Sequence, residues 1–234
     1  MKPVAIFRFF HIEGPGYFAT FLDNNHIPWQ LIKVDAGDPL PTDVNSFSGL
    51  VLMGGPMSVN DDLPWIAPIL SLIRQAVDKN VPVLGHCLGG QLMSKALGGV
   101  IDVNPIKEIG WGEVSVVDHA IAKEWFGHLT VFESFHWHGE FFSIPEGATR
   151  ILANQNCQNQ AFAMGIHIAM QCHMEMTVEL VKIWCKENRE EIEKSLCPSV
   201  QSAEEMKVDL AARIARLNQV AAILYPRWIA GLKN

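Results

Sequence analysis

The chain has 234 residues, of which 49% are hydrophobic and 18% are charged, so it can bury a sizeable core and extensive disorder is not expected. Its formal net charge is −7 and it has no run of Lys or Arg, which argues against nucleic-acid and anionic-membrane partners. No apolar run approaches the roughly 20 residues of a membrane span, so we expect one large domain or one domain with an appendage.

The cysteines and the first residues bear on the compartment. The number of cysteines is odd and none forms a Cys-x-x-Cys pair, which argues against a disulfide framework and a zinc cluster. The chain enters a strand pattern almost at once and lacks the layout of a signal peptide. We therefore expect a cytoplasmic, reduced protein. The cysteines are Cys87, Cys157, Cys172, Cys185 and Cys197.

The first part of the chain alternates between short apolar runs and helical patterns. The predicted strands are residues 4–10, 29–35, 49–53 and 81–84. The predicted helices are residues 17–25, 66–77 and 90–97. Strands that are apolar on both faces and separated by helices are typical of a parallel sheet covered by helices on both sides.

After Gly98 the pattern changes to strands joined by short loops, without full helices between them, which predicts a mixed or antiparallel extension of the sheet. These strands are residues 99–103, 112–117, 130–135, 150–154, 160–166 and 168–172. Two helical stretches follow, at 177–195 and 203–224. The second has one apolar stripe, which favours packing on its own domain, with a partner-docking face as the alternative.

The predicted fold class is therefore α/β, with three layers (α/β/α, flavodoxin-like), a mainly parallel central sheet, the mixed extension and C-terminal helices. We assign residues 1–176 to the main domain and residues 177–234 to a helical extension packed on it. Ligands of such sheets bind at the carboxyl ends of the parallel strands. The loops after Met53, Leu84 and Cys172 are expected to meet there if their strands are neighbours.

A cysteine lies between two glycines where the predicted strand 81–84 turns into a helix. Gly85-x-Cys87-x-Gly89 in this place is typical of a nucleophile elbow with Cys instead of Ser. The crowded turn needs glycines, and the nucleophile occupies a strained backbone conformation. The start of the helix favours a thiolate and can hold an oxyanion. The alternative is a buried, inert core cysteine.

A base for this cysteine is predicted after the last strand, where His173 and Glu175 are separated by one residue. This spacing puts both side chains on one face, so the carboxylate can hold the imidazole in one tautomer. A cysteine nucleophile needs such an oriented base. A surface pair is the alternative, but the position after an apolar strand and downstream of the elbow favours catalysis.

A third motif, Gly54-Gly55-Pro56, ends the predicted strand 49–53. Its glycines let backbone N–H groups face a ligand, although a plain tight turn is the alternative. The three motifs, in this order from about Val4 to Glu175, resemble the class I (triad) glutamine amidotransferases. They are most similar to the stand-alone proteins that resemble the amidotransferase domain of GMP synthase.

The resemblance implies an activity and a catalytic triad. Cys87 would attack the side-chain amide carbon of glutamine, releasing ammonia and leaving a γ-glutamyl thioester for water to hydrolyse. His173 would be the acid/base and Glu175 its orienting group. The family usually has His-Pro-Glu where this chain has Met174 between the two, and we expect the triad to survive because the proline only stiffens the turn.

The resemblance also implies an oxyanion hole and a substrate site. The N–H groups of Gly55 and Leu88 would form the oxyanion hole. The substrate-binding residues would be Gly54, Gly55, Gln91, Trp137, His138 and Gly139, within a Trp137–Glu140 segment that grips the α-carboxylate and α-amine. Residues His136, His138 and Glu133 suggest a metal, but such clustering is more often incidental, so we expect no metal and no cofactor.

Two alternatives stay open beside a glutamine amide hydrolase. The sequence contains no phosphate-binding or pyrophosphatase-type loop to activate an acceptor, so we expect ammonia to pass to a separate synthase subunit or to solvent. If water is the acceptor, the substrate can instead be another γ-glutamyl small molecule, as for γ-glutamyl peptidases of the same superfamily. A non-catalytic binding, redox or chaperone-like protein is the third reading, but His173 and Glu175 count against it.

Overall fold

One mixed sheet runs through the computed structural model, which describes residues 1–195 and 197–233. Leu196 and Asn234, both in the predicted C-terminal extension, lie outside the described residues. Within the described ranges the sheet has nine strands, in the order β2-β1-β3-β4-β9-β8-β7-β5-β6. They are β1 Val4–Arg8, β2 Trp29–Lys33, β3 Gly49–Leu52, β4 Val83–His86, β5 Ile101–Val116, β6 Val131–Phe142, β7 Thr149–Ala153, β8 Ala161–Met164 and β9 His167–Met170.

Helices cover both faces of this sheet. The helices of the described residues are α1 Gly16–Asn24, α2 Ile66–Asp78, α3 Leu88–Ala96, α4 Ala120–Phe126, α5 Val178–Glu187, α6 Arg189–Lys194, α7 Ala203–Lys207 and α8 Leu210–Ile229. Alternate residues of β1 point into two separate buried clusters, Val4 and Ile6 into one and Ala5 and Phe7 into the other. The predicted three-layer α/β fold is confirmed.

The sheet changes from parallel to antiparallel at β9. Strands β2, β1, β3, β4 and β9 pair in parallel, whereas β9, β8, β7, β5 and β6 pair antiparallel. Because β3, β4 and β9 are direct neighbours, their carboxyl ends lie at one edge. The loops that carry Gly55, Cys87 and His173 therefore start side by side, as the sequence predicted.

The antiparallel part differs from the prediction. Strands β5 and β6 are each longer than predicted and pair with each other over most of their length, with a shift in register between Val103 and Glu108. Pro105 lies in that irregular segment, where the missing N–H costs no regular ladder bond. Helix α4 was not predicted, because it has only seven residues and its N-cap is His119 rather than a Ser, Thr, Asp or Asn.

Each of the two predicted C-terminal helices is divided into two helices in the structure. The first breaks at Asn188, between α5 and α6, and the second before α8, where Asp209 has a left-handed φ of 51°. The apolar stripe is buried in the same cluster as Phe18 of α1. The stripe consists of Met206, Leu210, Ile214, Leu217, Val220 and Leu224. The division of the chain at residue 176 stays a prediction.

None of the helices in residues 1–195 and 197–233 combines the length and the apolar character that crossing a membrane requires.

Candidate active site

Cys87 sits on the turn between β4 and α3, in a strained backbone conformation with φ 50° and ψ −109°. Its N–H donates to the carbonyl of Met170 on the neighbouring strand, at 2.7 Å. The flanking glycines are needed for close approach, because a Cβ on Gly85 would lie 2.5 Å from the Gly89 backbone. A Cβ on Gly89 would lie 2.1 Å from the carbonyl oxygen of Leu52. The chain therefore passes from strand to helix at Cys87 through a tight turn that depends on these glycines.

His173 and Glu175 form a buried pair beside this turn. The Nδ1 atom of His173 lies 2.7 Å from Oε1 of Glu175, and both side chains are almost fully buried. The Nε2 atom of His173 is also buried and has no hydrogen-bond partner among residues 1–195 and 197–233. It is the ring nitrogen left to exchange a proton with a group in the cavity.

Glu175 is shared by two histidines. Its second oxygen, Oε2, lies 3.0 Å from Nδ1 of His86, the residue before Cys87. Burial alone would raise the pKa of Glu175, but His86 and His173 lower it well below its ordinary value. His86 was not among the predicted site residues, although it lies within the Gly85-x-Cys87 motif.

The charge of Glu175 also acts on the imidazole. Burial alone would lower the pKa of His173, but Glu175 and the neighbouring Cys87 thiol raise it well above its ordinary value. The site therefore favours a protonated imidazole next to the sulfur. This is the state that a cysteine nucleophile and its base reach after proton transfer.

Two further groups contact the sulfur of Cys87. The side-chain amide of Gln171 donates to Sγ from 3.5 Å, and the carbonyl oxygen of Trp137 lies 3.7 Å from Sγ. Gln91 in turn donates to the Gln171 amide oxygen at 3.2 Å. Gln171 was not among the predicted site residues, but its position two residues before His173 was a usable signal, since alternate residues of a strand share a face.

The predicted oxyanion hole consists of two adjacent backbone segments. A Cβ built on Gly55 would lie 2.8 Å from Cδ2 of Leu88, so the two residues are in close proximity. Among the described residues, neither the Gly55 N–H nor the Leu88 N–H donates a hydrogen bond outside regular secondary structure. Leu88 is the first residue of α3, where the helix leaves N–H groups without internal partners.

A cavity of about 350 Å³ opens in front of these groups. The sequence-predicted residues that line it are Gly55, Cys87, Gln91, Trp137, His138, Gly139 and His173. Three predicted residues do not line the cavity but lie next to residues that do: Gly54, Leu88 and Glu175. A Cβ on Gly54, for example, would lie 3.2 Å from Cε1 of His173. The structure thus brings the predicted residues into one place.

The C-terminal helices also contribute to the cavity wall, which sequence analysis did not predict. Trp184 of α5 packs edge-on against the His173 ring, with centroids 4.9 Å apart, and against Trp137. Glu191 of α6 accepts a hydrogen bond from the Trp137 indole at 2.9 Å and pairs with Lys107. No periodicity or motif marked these residues.

A second buried polar cluster lies behind Trp137. Glu108, His136 and His138 place one ligand atom each within 4.8 Å of one another, close enough to share a metal ion. Glu133, which the sequence suggested as the carboxylate ligand of a metal, is not part of this cluster; its Oε1 atom lies 3.7 Å from Nη1 of Arg213. The oxygens of Glu108 already accept hydrogen bonds from the amides of Asn154, Asn156 and Gln160, and lie 3.1 Å from His138.

The charges in this cluster are stabilised by the protein itself. Burial alone would raise the pKa of Glu108, but the hydrogen bonds and charges of the histidines lower it to about 2. Burial lowers the pKa of His136 to about 4. The arrangement therefore anchors β6, and with it the Trp137–Gly139 backbone, through a satisfied buried carboxylate.

Comparisons with known proteins relate the chain to one family. The family model for Glutamine amidotransferase class-I matches residues 23–182. The crystal structure of a glutamine amido transferase from Methylobacillus flagellatus has a TM-score of 0.97 and 48% sequence identity, and the match covers 100% of this chain and 96% of that one.

The curated relatives include proteins of three different names. The glutamine amidotransferase-like protein YfeJ of Salmonella typhimurium is 32% identical, over 77% of this chain and 78% of its own. Gamma-glutamyl peptidase 3 of Arabidopsis thaliana is 26% identical, over 71% of each chain. The GMP synthase of Aromatoleum aromaticum is 31% identical over 56% of this chain, which corresponds to only 26% of that longer enzyme.

Proposed function

The chain belongs to the class-I glutamine amidotransferase family, and from this premise we propose that it hydrolyses the side-chain amide of glutamine through a thioester on Cys87. The observation that carries the proposal is the meeting of three groups from two neighbouring strands. Cys87 follows β4, and the paired His173 and Glu175 follow β9. A strained nucleophile, an acid/base and an orienting carboxylate in one cavity are the parts that amide hydrolysis requires.

In the proposed reaction His173 takes the proton of the Cys87 thiol, and the thiolate attacks the amide carbon. The amide C–N bond then breaks, and the leaving nitrogen takes a proton from His173 and departs as ammonia. Water, giving a proton to the same imidazole, hydrolyses the thioester to glutamate and restores the thiol. Glu175 holds the ring in one orientation and stabilises its positive charge.

Backbone groups have two roles in this proposal. The N–H groups of Gly55 and Leu88 stabilise the oxyanion of the tetrahedral intermediate, a contribution typically worth about 3–4 kcal/mol per donor in the barrier. The Trp137–Gly139 segment holds the amino-acid end of the substrate, with Gln91 and Gly54 shaping the site. The close contact of Gly55 with Leu88 and the anchoring of β6 by Glu108 support both roles.

We propose that the ammonia passes to a separate synthase subunit or to solvent. In the GMP synthase relative, the matched region is only 26% of the enzyme, so most of that protein lies outside the likeness. A synthase partner would raise the rate of ammonia incorporation when it is added to this chain, whereas solvent release needs no second protein.

A substrate panel tests the proposal. Purified protein is incubated with glutamine and with γ-glutamyl dipeptides, with and without candidate synthases from the same cell. Ammonia release from glutamine that is lost in Cys87→Ala supports the proposal. Cys197→Ala is the matched control, because Cys197 is exposed and does not line the cavity. Absence of turnover and of any adduct on Cys87 would favour a non-catalytic protein on this fold.

A γ-glutamyl peptidase is the second candidate, favoured by the likeness to gamma-glutamyl peptidase 3. The thioester chemistry is the same and only the leaving amine differs. Faster release of an amino acid from γ-glutamyl dipeptides than of ammonia from glutamine would select this candidate.

A further inference from the structure

Glu13 is a carboxylate in the cavity that the proposed mechanism does not use. It lies on the loop between β1 and α1, outside residues 23–182, and it is half-buried in the cavity wall. Its side chain has neither an ion-pair partner nor a hydrogen-bond donor in the described part of the chain. A half-buried carboxylate without a partner is costly, so its position needs a reason.

The carboxylate faces the acid/base. A Cβ built on Gly54 would lie 2.0 Å from Oε2 of Glu13 and 3.2 Å from Cε1 of His173. The Glu13 carboxylate and the His173 ring therefore both lie next to Gly54. Burial raises the pKa of Glu13 to about 7, although His173 opposes the rise. Among the described residues the group is thus left to interact with whatever enters the cavity beside His173.

The residues that line the cavity differ in chemistry. Lys107 packs on Gly139, and Ser58 donates to Glu140 at 2.9 Å, next to the segment proposed to hold the amino-acid end of the substrate. Glu13 lies beside the imidazole, because a Cβ on Gly54 would approach both side chains. Because His173 delivers its proton to the leaving nitrogen, groups next to this ring face the leaving group.

Among the charges that act on Glu13, His173 favours its ionised form, whereas Glu175 and Glu191 oppose it. Lys107, which also lines the cavity, is paired with Glu191, whose other oxygen accepts from the Trp137 indole. Trp184 adds an apolar surface next to His173. The leaving-group end therefore combines one unpaired carboxylate with aromatic walls, which suits an amine and disfavours an anion.

We infer that Glu13 is a specificity-determining residue on the leaving-group side, selecting glutamine and γ-glutamyl amines over γ-glutamyl amino acids. The inference rests on the proposed amide hydrolysis and deepens it. As the C–N bond breaks, the electron pair goes to the nitrogen, which takes its proton from His173, while Glu13 accepts a hydrogen bond from the departing amine. A leaving amino acid would place its carboxylate against Glu13.

The test compares two substrates whose leaving groups differ chiefly in charge. γ-Glutamylethylamide and γ-glutamylglycine release amines of similar size, one without a carboxylate and one with it. Above the pKa of about 7 of Glu13, where this group is ionised, we expect the unmodified protein to prefer the ethylamide in kcat/KM by about tenfold or more, because a like charge in a partly desolvated site is repelled. In Glu13→Gln the preference should fall to within about threefold, mainly through faster cleavage of γ-glutamylglycine.

Two further variants complete the test. Glu13→Asp keeps the charge and should keep a preference for the ethylamide, which guards against misfolding as the cause of any change. Glu179→Gln removes an exposed carboxylate outside the cavity and should leave the ratio unchanged. Glutamine is measured with every variant as the reference substrate.

The outcomes separate the inference from the proposed function. Turnover with no preference, or a preference that Glu13→Gln leaves unchanged, overturns the inference alone. An equal rise in KM for all three substrates in Glu13→Gln also overturns it, since Glu13 would then bind the α-ammonium group. No turnover of any substrate by the unmodified protein, with no labelling of Cys87 by a glutamine-like diazoketone, overturns both.

Discussion

The indole of Trp184 packs edge-on against the imidazole of His173, with ring centroids 4.9 Å apart and an interplanar angle of 85°. The indole is itself held in place, because its N–H donates to the carbonyl of Ile12 at 2.9 Å. A residue of the C-terminal helices therefore restrains the His173 ring on one side. Glutamine hydrolysis should depend on this contact if His173 is the acid/base.

We predict that Trp184→Phe lowers kcat for glutamine by about twofold to tenfold, the range expected from losing part of an aromatic contact. Phe keeps an apolar ring but loses the hydrogen bond to Ile12. The rate is measured with saturating glutamine, and the melting temperature is recorded to show that the variant is folded. An unchanged kcat and pH profile would show that Trp184 does not position the imidazole.

Replacing the triad members should have unequal effects. We predict that His173→Ala lowers kcat/KM by about 10⁴-fold or more and that Glu175→Gln costs clearly less, because an orienting group contributes less than the base it orients. Equal and mild losses in the two variants would contradict the assigned roles.

The pKa of His173 provides a separate readout for Glu175. The negative charge of Glu175 raises that pKa, whereas burial lowers it, so Glu175→Gln should shift the titration of the ring to lower pH. NMR titration of the labelled imidazole measures the shift. A ring that titrates at the same pH in both proteins would show that the carboxylate does not act on it.

The five cysteines should react differently with general and with substrate-like reagents. Burial raises the pKa of Cys157 to about 11 and of Cys172 to about 12, so both should resist alkylation at neutral pH. Hydrogen bonds from Ser199 lower the pKa of the exposed Cys197, so iodoacetamide should label it readily. A glutamine-like diazoketone should instead label Cys87 alone, as read by peptide mass spectrometry.

The labelling experiment has a matched control. Cys197→Ser should abolish most iodoacetamide labelling outside the active site and leave diazoketone labelling intact. Diazoketone adducts distributed over Cys157 or Cys197 would argue against a selectively activated thiol at Cys87.

Glu108 should make the protein sensitive to acid. Its pKa in the folded protein is about 2, below the ordinary value of 4.5, so its contribution to stability is present above about pH 4.5 and is lost as the pH falls toward 2. The full contribution is on the order of 3 kcal/mol. At pH 7 the melting temperature of Glu108→Gln should be lower than that of the unmodified protein. As the pH is lowered from 7 to 3, it should fall less steeply in the variant. Parallel curves for the two proteins would contradict this role.

The parallel half of the sheet was predictable because its signals are local. Each apolar run lies between turn residues, and a strand, a glycine turn and a helix follow one another within the segment around Cys87. The long pairing of β5 with β6 was not predictable in the same way. Pro105 interrupts the strand pattern, and only the antiparallel partner shows that the chain continues as one strand on both sides of the irregular segment.

The sequence by itself determined the elbow at Cys87, the one-residue spacing of His173 and Glu175, and the family to which the chain belongs, because each depends on residues that are close along the chain. Only the tertiary structure decided what surrounds them. The Trp184 indole donates a hydrogen bond to the carbonyl of Ile12, 172 residues earlier in the chain. The Gln171 amide donates to the sulfur of Cys87, 84 residues earlier. Such neighbours follow from strand order and from helix packing, and no periodicity in the sequence records them.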